Sequence, residues 1–74
     1  MKIDEEILIG ECLELISLHK NIQCDQSKKE SDLDWYRRIQ TLLHDIQEEP
    51  DRNSAKDRSA VLIKAINELI ADKQ

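Results

Sequence analysis

The stretch SAKDRSAVLIKAINELIADK, Ser54 to Lys73, decides how this chain must fold. Placed on a helix at about 100° per residue, Val61, Leu62, Ile63, Ala65, Ile66, Leu69 and Ile70 spread over roughly half the circumference, whereas one core-facing stripe takes little more than ~100°. A helix apolar over so wide an arc needs two neighbours. One is the rest of its own chain, and the sequence leads us to expect a second copy of the protein as the other.

Working outward, Pro50 sets the boundary before this helix, because the residue ahead of a proline is pushed out of the α region. Residues 50–54 then read as a tight polar connector, and Ser54-Ala55-Lys56-Asp57 as a capping signature, so the third helix is predicted over 54–72. The helix before it starts at Ser31-Asp32-Leu33-Asp34, where the Ser31 hydroxyl can accept from the backbone N–H of Asp34 and the Asp34 carboxylate can reach back. It is predicted over 32–49. Its apolar residues Trp35, Tyr36, Ile39, Leu42, Leu43 and Ile46 fall in an arc of about 120°, the pattern of an outer helix packed on one side. Two helices joined so closely should run antiparallel.

The first helix is predicted over 4–21, with Asp4, Glu5 and Glu6 at the positive end of its dipole and Lys20 near the negative end. Ile7, Leu8, Ile9, Cys12, Leu13, Leu15, Ile16 and Leu18 again exceed one stripe, so this helix too is expected to be covered on two sides. Gly10 interrupts the pattern at up to ~1 kcal/mol relative to alanine, which a close helix crossing would explain. Residues 22–31 lose the period. A connection of this length exceeds the usual span between bundle helices, which marks it as a mobile or docking loop.

Composition sets the class. Seventy-four residues make one domain, 1–74, and 36% charged residues with one Gly, one Pro, Trp35 and Tyr36 describe an all-α chain. A core this small is marginally stable alone, which favours self-association. Sixteen acidic against eleven basic residues give a net charge of −5, a poor balance for a phosphate backbone. The chain opens with acids rather than a basic segment followed by an apolar run, and no apolar stretch approaches the ~20 residues of a membrane span. A soluble, cytoplasmic protein is therefore expected. Cys12, on an apolar helix face, and Cys24, in a polar loop, suit reduced thiols better than a disulfide framework.

Chemistry is sparse. Cys12, His19, Cys24 and His44 are zinc-ligand types, but none has the close pairing that fixes two ligands locally. Glu5, Glu6, Glu11 and Glu14 read as the solvated edge of the first helix. Only at Trp35, Tyr36, Arg37 and Arg38 do basic and aromatic residues interleave, which makes Trp35, Arg37 and Arg38 candidates for contact with a partner. Lys56, Arg58, Lys64 and Asn67 leave DNA contact open, against the net charge. With no nucleophile pair, metal set or phosphate loop, the expectation is a non-enzymatic protein without a cofactor. The expected homodimer contact consists of Leu8, Cys12, Leu15 and Ile16 of the first helix with Leu62, Ile66, Leu69 and Ile70 of the third.

Glu5-Glu6 followed by Leu8-Ile9-Gly10, then Leu42-Leu43-His44-Asp45-Ile46-Gln47, then Ala60, Leu62, Ala65, Ile66, Leu69 and Ala71-Asp72, resemble the YmgB/AriR group of small biofilm and acid-resistance regulators, connector proteins of two-component signalling. About two thirds of the chain is covered. The loop before Ser31 and the Trp35-Tyr36-Arg37-Arg38 segment depart from the pattern. The resemblance implies an all-helical homodimer that regulates through protein contacts, with DNA as a possible further contact. The residues thus lead to a three-helix homodimeric bundle acting as a regulator or connector of signalling or transcription. The alternatives are an inhibitor, anti-adaptor or antitoxin-like module that binds another protein, and a small helical DNA-binding regulator.

Overall fold

The computed structural model describes residues 4–50 and 54–74. Three helices follow in order: α1 (Glu5–Lys20), α2 (Asp32–Gln47) and α3 (Ser54–Lys73). Their starts are set by local chemistry. The Asp4 carboxylate accepts from the Ile7 N–H at 3.3 Å, and the Ser31 hydroxyl from the Asp34 N–H at 3.2 Å, each satisfying a donor that the first turn leaves open. α1 ends at Asn21, whose φ of 55° places it in the left-handed region where a helix is commonly closed. α2 stops two residues earlier than the sequence suggests. Pro50 bars Glu49 from the α region, and the Glu48 N–H closes the last turn on the His44 carbonyl at 3.0 Å. The connector expected at 50–54 falls largely outside the described residues, and Ser54, expected as the cap, is already the first residue of α3.

Contacts at the helix ends give the directions. The Tyr36 hydroxyl, in the first turns of α2, donates to Glu5 at the start of α1 across 3.2 Å. His19 Nε2, in the last turn of α1, lies 2.7 Å from Glu49 Oε2, just beyond α2. α1 and α2 therefore run in the same sense. α3 runs against both: Lys73, near its end, pairs with Glu5 at 2.9 Å, while Gln47 and Ser59 meet where α2 ends and α3 begins. This explains the long connection. A parallel neighbour requires the chain to retrace α1, about 24 Å for its sixteen residues, and residues 21–31 provide that return.

The core is one cluster with all three helices in it. α2 contributes Trp35, Tyr36, Ile39, Leu43 and Ile46, α3 contributes Leu62, Ile63, Ile66, Leu69 and Ile70, and α1 only Leu8, Cys12 and Ile16. α3 lies between two neighbours, as its arc demands, but both belong to its own chain. α1 rather than α2 is the outer helix. The radius of gyration, 12.0 Å, is close to the ~11 Å of a compact chain of this length. Ser59, fully buried, donates to the Lys56 carbonyl at 2.9 Å and accepts from the Gln47 amide, so the polar group under the α2–α3 corner is satisfied. No described helix is long and apolar enough to cross a membrane.

Gly10 has another explanation than a close crossing. A Cβ placed there would meet nothing within 4 Å, so the residue faces open space.

Candidate interaction surface

Of the residues expected to meet a second copy, Leu8, Cys12, Ile16, Leu62, Ile66, Leu69 and Ile70 are buried within the single chain, and Leu15 is half-buried. Their burial has a simple cause: with α1 laid parallel to α2, α1 and α3 cover much of each other's apolar arcs. A second copy would have to meet other side chains.

Those other side chains lie on the outer flank of α1 and α3. Ile7 is 62% exposed, Leu18 76% and Val61 62%, and burying large aliphatic groups is what folding ordinarily achieves. Ile7, Glu11, Glu14 and Leu18 recur at spacings of four, three and four, so they share one face of α1. Its two apolar ends stand about 16 Å apart by helical rise. A groove between α1 and α3 opens beside them, lined by Glu11, Glu14, Leu15, Leu18 and Arg58. Val61 is one turn past Arg58 on the α3 side. Arg58 donates to Glu11 across the groove at 2.9 Å. Glu14 makes no hydrogen bond or ion pair with any described residue.

The proposed aromatic and basic contacts separate. Trp35 is buried in the core. Arg38 stacks on it, with its guanidinium carbon 4.6 Å from the ring centroid, and reaches back into the loop. It donates to the Asp25 carbonyl at 2.7 Å and to both Glu30 carboxylate oxygens at 3.1 and 2.9 Å. That fork fastens the return connection against α2. The Ser27 N–H and then Arg38 hold Glu30 below the usual carboxylate range. The loop expected to be mobile or free to dock is thus tied down by an arginine expected to be free. Arg37 alone of the three remains exposed and without such a tie.

Two further clusters join the helix ends. Glu5 accepts from Lys73 and Tyr36, and the Lys73 contact foremost lowers its pKa. Glu49 faces His19 and Lys20, and both lower its pKa. Among the described residues no group of three or more His, Cys, Asp or Glu is placed to hold a metal ion. Cys12 and Cys24 are free thiols, and burial pushes the Cys12 thiol up to about 11. A second depression at the start of α1 and α2 is lined by Glu5, Ile9, Gly10, Leu13, Gln26 and Tyr36 among others.

Sequence reasoning passed over Ile7, Leu18 and Val61 as docking residues, counting them with the buried arcs. The signal was present in the interleaving of Glu11 and Glu14 with Ile7 and Leu18 on one face. Comparison with protein-family models, curated proteins and solved structures finds no match for this chain.

Proposed function

We propose that this chain is a non-enzymatic regulatory protein acting through protein–protein contact, with the outer flank of α1 and α3 engaging another regulatory or signalling protein. The observation that carries this reading is the exposure of Ile7, Leu18 and Val61 on α1 and α3, with Leu18 lining a groove between the two helices. Single exposed aliphatic residues are ordinary, but a set sharing one flank is the pattern of an interaction site. The likeness to the YmgB/AriR group supports the same class of role. A homodimer on this flank is the second reading, favoured by the small core of a 74-residue chain.

A photo-crosslinking residue at position 18, in the source cell, tests the proposal. A discrete adduct with one protein, absent when the crosslinker replaces His44 on exposed α2, is expected. No adduct from position 18, or the same adducts from both positions, would remove the proposal.

A further inference from the structure

The charges set between the exposed apolar residues of α1 identify what chemistry can lie against them. The strip Ile7, Glu11, Glu14, Leu18 is symmetric about its middle: both the outer pair and the inner pair are centred between Cys12 and Leu13. A second copy laid antiparallel would set Ile7 against Leu18 and Glu11 against Glu14. A parallel copy would set each glutamate against itself. Both pairings bring four carboxylates together, with Arg58 of each copy already donating to Glu11. Laying the strip on α3 of another copy supplies no net base, because the exposed charges of α3 balance, Asp57, Glu68 and Asp72 against Arg58, Lys64 and Lys73, and Arg58 already donates to Glu11. The net charge of −5 on each copy adds to the repulsion.

We propose that this flank binds an amphipathic helix of basic character, with two apolar anchors about three turns apart and lysine or arginine between them. The anchors seat beside Ile7 and against the groove at Leu15 and Leu18, with exposed Val61 one turn past Arg58 on the α3 side. The bases meet Glu14, which has no ion pair with a described residue, and the outer edge of the Glu11–Arg58 pair. Opposite charge at the rim steers encounter and selects the partner, while the aliphatic contacts hold it. This inference rests on the protein-contact reading above and specifies its partner.

The test uses the full chain and two synthetic helical peptides labelled for fluorescence anisotropy. Each has leucines eleven residues apart. One carries lysine at the fourth and seventh positions after the first leucine, the other glutamate. The lysine peptide should bind saturably and the glutamate peptide should not. Leu18→Asp and Glu14→Lys should each weaken the lysine peptide by roughly tenfold or more, while Asp45→Lys, the same charge change on exposed α2, should alter it little. Glu14→Lys should also bring the glutamate peptide into measurable binding. Circular dichroism of each variant checks that the helices persist. Equal binding of the two peptides, binding of neither, equal weakening by Asp45→Lys, or a solution mass of twice the 8.7 kDa chain would overturn the inference. A crosslink from position 18 to another protein with no binding of the lysine peptide would leave the protein-contact reading standing and remove only the basic helix.

Discussion

Arg58 of α3 spans the groove to Glu11 of α1 with a 2.9 Å hydrogen bond, and Glu14, one turn along α1, is left without such a partner. The two helices are thereby joined at the surface while an aliphatic flank beside the bond stays open. Both partners of this pair are about half exposed, so the bond orients the rim and adds little stability. Its role is to define where charge is used and where it is left over.

The first prediction separates flank from core. Leu18→Asp should cost only about 1 kcal/mol, from an acid in the last turn of α1 rather than from lost burial, whereas Ile66→Ala should cost about 2–5 kcal/mol. Urea unfolding followed by circular dichroism measures both. A large loss from Leu18→Asp would mean the flank is covered in the free protein.

Gly10→Ala should stabilise the chain by up to about 1 kcal/mol. The added methyl meets no atom within 4 Å, and the helix gains an alanine in place of its least favourable ordinary residue. A destabilised variant would restore the close crossing that the sequence suggested.

Arg38→Ala should loosen residues 22–31 without unfolding the helices. It removes the donors to Asp25 and Glu30 and the cation over Trp35. Amide hydrogen exchange should quicken in that connection and change little at Ile39, Leu43 and Ile66. Arg38→Lys should restore the loop only in part, because an ammonium cannot make the planar fork.

Acid should erode the end clusters together. Glu5 and Glu49 have pKa values lowered in the fold, Glu5 chiefly by Lys73 and Glu49 chiefly by His19, with a smaller part from Lys20. A lowered carboxylate pKa means stability present above the ordinary value of 4.5 and lost as pH falls below it. Glu5→Gln should flatten that slope in urea midpoints measured through the acid range. At the other extreme, Cys12, raised from 9.0 to about 11, keeps its proton in the fold, so stability should fall as pH climbs through that interval. In native protein a thiol reagent should label half-buried Cys24 well before Cys12.

Much of this architecture is legible in the residues, and the exceptions have one origin. Ser31 and Pro50 mark boundaries because capping and proline sterics act locally, and the arc through Leu62, Ile66, Leu69 and Ile70 shows which side of α3 is buried. Periodicity reports how much of a helix wants cover but not which neighbour supplies it. The second cover of α3 therefore read as another molecule, when it is α1 brought alongside by the connection at 21–31. The Arg38 fork was illegible for a related reason: Asp25 lies thirteen residues back, and only the return path of the chain brings its carbonyl within reach. Once α1 is placed, Leu18 and Val61 are left outside, and the candidate surface follows from what the core did not take.

The urea midpoint of the full chain, measured at protein concentrations differing by about a hundredfold, tests most directly whether one chain closes its own core. The account predicts a single cooperative transition whose midpoint does not move. A midpoint that rises with concentration would show that Leu8, Ile16, Leu62 and Ile66 are kept dry by a second molecule, and would contradict it.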